Sequence, residues 1–197
     1  RPRKPAPCEG RGVMVQPDLN ILATISRAVC AGRALKVSYL SVYSGRASRT
    51  IVPVALADTG LRWHVRAFDR KNGRFSDFAL RRIERAESLD EKAGEGEKLE
   101  SDAQWARIVD LELIAHPGAK WREGIEADYG MENGFLRTRT RAALAGYFLH
   151  RWQVDCTSDH SLSPYEHHLW LKNPQTLYGV ESADMAPGYA QSAKEAA

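Results

Sequence analysis

Arg62, His64 and Arg66 alternate with Trp63, Val65 and Ala67, the period-two pattern of a strand with one cationic and one apolar face. Guanidinium groups beside an imidazole form the chemistry of an anion site, because phosphate oxygens accept several charge-assisted hydrogen bonds at once. Asp69-Arg70-Lys71-Asn72-Gly73 follows, and its Asn-Gly step predicts a tight turn with a positive-φ pair. A second strand then carries Phe75, Phe78 and Leu80 and ends at Arg81-Arg82. Such a hairpin is expected to leave its cationic side facing water or an anion. Upstream, Tyr39 and Ser41 share one face of another strand and offer hydroxyl donors. Convergence of Tyr39, Ser41, His64, Arg66 and Arg82 would make a polyanion pocket. The plainer readings are a core ring for Tyr39, an exposed edge imidazole for His64, and arginines that merely solvate a strand edge.

Charge is distributed unevenly. The chain is +3 overall, yet Arg33 to Arg85 holds twelve Lys/Arg, ten of them Arg, against Asp58, Asp69, Asp77 and Glu84. Residues 86–197 carry a balance of −8. A basic module joined to an acidic one points to an anionic partner for the first alone, and arginine suits bidentate phosphate contact.

Motifs for other chemistry are absent. The sequence has no Gly-x-Gly-x-x-Gly, no Walker loop, no His-Glu-x-x-His and no Gly-x-Ser-x-Gly. No enzyme activity, cofactor or metal is therefore expected. Asp155, Cys156, Asp159, His160, Glu166, His167 and His168 are dense in ligand types but fit no zinc spacing. That stretch reads as a surface loop, and Cys156 near His160 lacks an orienting third group for a thiol nucleophile. Three cysteines without a Cys-x-x-Cys pair indicate a reducing, cytoplasmic setting. There is no apolar run of membrane-spanning length and no signal peptide. A start at Arg1 instead of Met is expected of a piece of a longer protein.

The elements that must position these residues are legible in outline. Residues 1–18 read as a Pro/Arg-rich lead-in, and Asp18 as the N-cap of a helix that Gly32 stops. Strands follow at Leu35–Ser41, Arg49–Val54 and the Trp63 hairpin, giving a small, strongly bent sheet or barrel over 19–88. The charged, Gly-containing run Glu91–Glu100 marks a linker, placed at 89–103. Ile108–Ala115 is predicted as a strand and Trp121, Ile125 and Tyr129 as a helical stripe. Phe135–Arg139 is expected to extend, and Ala142–Trp152 to form a helix burying Leu144, Phe148, Leu149 and Trp152. This second, small α+β domain is set at 104–180, with 181–197 as a tail. Trp105, Trp121, Trp152 and Trp170 read as core or interface anchors. That is more aromatic surface than so thin a layer buries alone, which predicts a homodimer held by the second module.

At these residues the chain resembles a WYL domain, a module of bacterial transcriptional regulators. The resemblance rests on the helix ahead of Val37-x-Tyr39-x-Ser41, on Arg49-x-Ile51-x-Pro53, on Trp63-His64-Val65 where the family has Trp-Tyr-Leu, and on Phe78-x-Leu80-x-Arg82-Ile83. The run Arg62–Ala67 is similar to the variant in repressors attached to anti-phage defence islands. Asp110–Pro117 and Arg141–Leu149 resemble the C-terminal extension of those repressors. The resemblance implies an α+β chain: an Sm/SH3-like β-barrel preceded by a helix and followed by a dimerising domain. It also implies a basic pocket for a nucleic-acid or nucleotide ligand, and operator DNA bound through a winged helix that residues 1–18 are too short to form. The candidate ligand-binding residues are Tyr39, Ser41, Arg49, Arg62, His64, Arg66, Phe78, Arg81 and Arg82.

Three functions compete on this reading. The first is a ligand-sensing, dimerising regulatory part of a repressor. The second is a stand-alone Sm-like module for RNA or single-stranded DNA. The third is an enzyme on phosphorylated substrates with His64 as acid/base; the only hairpin carboxylates, Asp69 and Asp77, leave it weakly equipped.

Overall fold

The computed structural model describes residues 16–189, and the remainder of the expected lead-in and tail lies outside them. The chain is α+β and divides into two units between Ala93 and Gly94.

In the first unit, helix α1 (Leu19–Ala31) starts where Asp18 accepts from the amides of Asn20 (2.8 Å) and Ile21 (3.1 Å). It stops at Gly32, whose φ of 58° lets its N–H reach back to the last turn. Five antiparallel strands follow: β1 (Arg33–Ser41), β2 (Gly45–Asp58), β3 (Trp63–Asp69), β4 (Arg74–Ala79) and β5 (Ile83–Lys92). Their order is β4-β3-β2-β1-β5, so sequence neighbours pair until β5 returns beside β1. The β2–β3 register shifts between Pro53 and Ala55; an irregularity there tolerates a residue with no N–H and bends the strand. The sheet is rolled. Tyr39 on β1 and Phe78 on β4 are three strand spacings apart across the sheet, at least about 14 Å if flat, yet their ring centroids lie 5.1 Å apart. Between the rolled strands and α1 sits a core that includes Ile25, Leu35, Val37, Ile51, Val65 and Leu80. Glu84 on β5 pins the sheet across β1: it takes Arg46 of β2 through two 2.7 Å bonds and the Ser38 hydroxyl at 3.0 Å. These bonds hold its carboxyl down to about 2.

Three local expectations are corrected here. The hairpin turn has one positive-φ residue, Gly73 at 64°, and not a pair. Asp69 does the remaining work, its carboxylate accepting from Lys71 N (3.0 Å) and Asn72 Nδ2 (2.8 Å). The second hairpin strand ends at Ala79, and Leu80–Arg82 form a 3-10 turn that swings the chain toward β5. Much of the expected linker is regular: β5 runs to Lys92, with Arg33 paired to Asp90 and Arg70 to Glu91. Its acids find cations on β1 and in the β3–β4 turn, which composition cannot reveal.

The second unit opens with 3-10 turns at Glu95–Glu97 and Leu99–Ser101 and the single-turn α2 (Ala103–Ala106). Strand β6 (Ile108–Ala115), α3 (Arg122–Asp128), β7 (Leu136–Arg141), α4 (Ala142–Arg151) and β8 (Leu169–Leu171) follow. The antiparallel sheet has order β7-β6-β8. Val109, Leu111, Leu113 and Ala115 alternate inward from β6 to meet Leu149, Leu169, Leu171 and Leu177. Leu144 and Phe148 are only half-buried, and Trp152 is 44% exposed, so the burial expected of α4 holds fully for Leu149 alone. Its core face is instead made by Ala142, Ala143, Ala145 and Gly146. Residues 181–189 are not a tail. Ser182, Ala183 and Ala186 are buried, and Ser182 bonds the Gly146 amide and the Ala142 carbonyl of α4. Small residues pack closely while leaving little hydrophobic signal in a sequence. Among the described residues, no helix is long and apolar enough to cross a membrane.

Candidate functional site

Strand β3 buries both of its faces. Val65 and Ala67 enter the core, and His64 and Arg66 on the opposite face are each only 4% exposed. The expectation that the cationic face meets water or an anion therefore holds for Arg66 only through a carboxylate of the same hairpin, and fails for His64. The hairpin register supplies the reason. Arg66 stands directly opposite Asp77 on β4, and their side chains, 5% and 11% exposed, form an ion pair at 3.3 Å. Pairing is what makes a buried guanidinium tolerable. His64 stays neutral instead. Burial first, then the charges of Arg62 and Arg82, push its imidazole down to about 4, against a smaller opposing contribution from a hydrogen bond with the Arg62 backbone.

The other candidates fall into separate places. The Tyr39 ring is buried, meets Phe78 edge-on, and accepts at its hydroxyl from Ala79 N at 3.4 Å. The Arg82 guanidinium lies over the Tyr39 ring at 5.5 Å. Ser41 caps the β1–β2 turn, accepting from Tyr43 N and Ser44 N at 3.2 Å each. Arg49 pairs with Asp69 at 3.1 Å and so braces the β3–β4 turn. Arg62 and Arg81 are exposed. The structure thus gathers Arg62, His64 and Arg82 electrostatically, and Tyr39, Phe78 and Arg82 by stacking, with Arg82 common to both groups.

Arg82 carries a further mark. Its Nε is buried and has no hydrogen-bond partner among the described residues; the Nε of Arg49 is in the same position. An unanswered buried donor costs roughly 1–3 kcal/mol. The face thus brings together a neutral imidazole, a half-buried guanidinium with an unanswered Nε donor, and the exposed Arg62 and Arg81. Asp69 and Asp77, which set which arginines are committed, were readable only through strand register.

A second polar centre escaped sequence reasoning. Asp155 and Cys156, expected in a surface loop, are wholly buried, as is His116. Asp155 accepts from Thr157 N (2.8 Å), Thr157 Oγ1 (2.7 Å) and Leu162 N (3.2 Å). His116 Nδ1 accepts from Gly118 N at 3.0 Å, so the proton sits on Nε2 and is donated to Asp155 at 3.0 Å. The signal available was weak: a His and an Asp 39 positions apart. Burial raises the Cys156 thiol far above its ordinary value, which keeps it protonated. Among the described residues, no three His, Cys, Asp or Glu are grouped to hold a metal. Trp121 and Trp152, expected to pack on helical spacing, are 72% and 44% exposed.

Comparison with known protein families finds a match in each unit. Residues 20–88 match the WYL domain, and residues 108–177 match the BrxR transcriptional regulator, C-terminal dimerization domain. The chain belongs to the proteins that join a WYL domain to a BrxR-type dimerization domain. Its curated relatives carry the name DNA-binding transcriptional repressor CapW. That of Escherichia coli (strain KTE188) is 34% identical over 166 residues, covering 83% of this chain and 54% of the relative. That of Stenotrophomonas maltophilia is 30% identical, with 84% and 57% covered, and that of Pseudomonas aeruginosa 32%, with 72% and 47%. The chain spans about half the length of these relatives. Among solved structures, proteasome accessory factor B/C of Arthrobacter aurescens aligns over 91% of this chain and 28% of its own, at 20% identity and a TM-score of 0.39.

Proposed function

We propose that this chain is the ligand-sensing and dimerising part of a cytoplasmic bacterial transcriptional repressor of the phage-defence type. In this reading the rolled sheet is an Sm/SH3-like barrel that binds an anionic nucleic-acid or nucleotide ligand. Operator DNA is bound by a winged helix belonging to the longer protein. The observation that carries the ligand site is Arg82, stacked on Tyr39, beside neutral His64, with a buried Nε–H that nothing among the described residues accepts. Arg62 and Arg81 flank it and supply exposed charge. Tyr39 and Phe78 form the floor on which Arg82 rests, whereas Ser41, Arg49 and Arg66 hold the scaffold in place.

Fluorescence anisotropy with short labelled single-stranded oligonucleotides, and calorimetry with mononucleotides, test the site. Binding should weaken steeply with salt as counterions are exchanged. Arg82→Ala should remove about 1.5–3 kcal/mol of affinity, the scale of one hydrogen bond to a charged group. Unchanged affinity in the Arg81→Ala, Arg82→Ala double variant would place the ligand elsewhere. Arg66 is the wrong residue for this test, because its ion pair with Asp77 braces the hairpin and its removal perturbs the fold as well as any ligand.

A further inference from the structure

We propose that an aromatic groove between the ends of α3 and α4 is the docking surface for a second copy of this chain. The proposal rests on the reading of residues 108–177 as a dimerising domain and assigns that role a place. The groove, of about 560 Å³, is lined by Tyr129, Trp152, Tyr165, Glu166 and His167, among others. Trp152 is 44% exposed and Tyr165 92%. Large aromatics left in water at one place mark interaction surfaces, where they supply most of the binding energy once covered.

The groove is built, not incidental. Tyr129, the C-cap of α3, meets Trp152 edge-on at 6.1 Å, and Phe148 supports Trp152 from one turn back at 6.4 Å. On the other wall, His167 Nδ1 donates to the Gln153 carbonyl at 2.7 Å. The loop leading there is anchored by the buried Asp155 carboxylate through Thr157 and Leu162, and Trp170 Nε1 donates to Thr157 O at 2.8 Å. Walls already fixed lose little conformational freedom on binding.

Charge decides the occupant. The Arg151 guanidinium sits 5.8 Å from the Trp152 ring, and Glu166 lines the same groove. A polyanion would meet Glu166 unfavourably. A patch that holds both signs suits its own copy turned about a two-fold axis, where each cation faces the partner's anion.

Sedimentation equilibrium on the full chain tests this, read against the 22.0 kDa monomer mass. The wild type should sediment at twice that mass. Trp152→Ala and Tyr165→Glu should each weaken association at least tenfold. Tyr165 is so exposed that its substitution leaves the fold intact, and far-UV circular dichroism verifies this. A wild type that stays at the monomer mass at high micromolar concentration overturns the dimer reading, and the groove assignment with it. A wild-type dimer that both variants preserve overturns the groove alone. A preserved dimer with reduced oligonucleotide binding in the variants would give the groove to nucleic acid and likewise overturn the proposal.

Discussion

At the residue scale, the hairpin shows that charge and burial are settled pair by pair. Arg66 and His64 lie on the same face of β3, and both are buried by different means, one through an ion pair and the other by losing its proton. His64 gives a direct test. Its NMR titration should have a midpoint near 4, and Arg82→Ala or Arg62→Ala should raise it toward the ordinary value of 6.5, since each removes a neighbouring positive charge. The same group makes stability depend on pH. Between pH 6.5 and 4 the unfolded chain takes up a proton that folded His64 does not. Stability is therefore fully present above pH 6.5 and falls as pH drops through that window, by about 3 kcal/mol. Urea denaturation at pH 7.5 and 4.5 should lose most of its pH difference in His64→Gln.

At the scale of elements, close approach matters more than hydrophobic mass in the second unit. Helix α4 has a glycine in its interior, which costs roughly 1 kcal/mol relative to alanine in helix propensity. The structure explains it. A Cβ on Gly146 would lie 1.7 Å from the Ser182 carbonyl oxygen, and the Gly146 amide itself donates to Ser182 Oγ at 3.0 Å. The 3-10 turn Glu181–Met185 is seated on that bare backbone. Gly146→Ala should therefore destabilise the chain, despite its better helix propensity, by about 1–3 kcal/mol or more from overpacking. A thermal scan reads this as a lower Tm, whereas Gly124→Ala, where an added Cβ meets nothing within 4 Å, should leave Tm unchanged or raised.

At the scale of the whole molecule, the two units differ in charge. The first holds the arginine-rich hairpin and the second the acidic balance and the exposed tryptophans. Each has a hydrophobic core of its own. Residues 1–93 alone should therefore remain monomeric and retain the salt-sensitive oligonucleotide binding. Residues 94–197 alone should dimerise and bind no oligonucleotide. Light scattering and anisotropy on the two halves separate these properties, and a dimeric 1–93 would move the interface to the sheet.

What the sequence determined by itself is what short-range rules govern. Asp18 and Gly32 bound α1 because a cap and a left-handed stop are local devices. Ile108–Ala115 emerges as β6, as expected, since alternation of Val109, Leu111 and Leu113 leaves one face to bury. The motifs around Tyr39, Trp63 and Arg82 identified the WYL domain from residue types alone. Tertiary structure decided which of those residues remain available. Asp77 neutralises Arg66 and Asp69 engages Arg49, because register and sheet curvature bring these distant groups within 3.1–3.3 Å. The same holds for His116 with Asp155, and for Trp152, which helical spacing would bury but which stands 44% exposed at the C-cap of α4. A hydrogen bond or ion pair depends on positions in space to a fraction of an ångström, and periodicity along a chain fixes only the face a side chain takes.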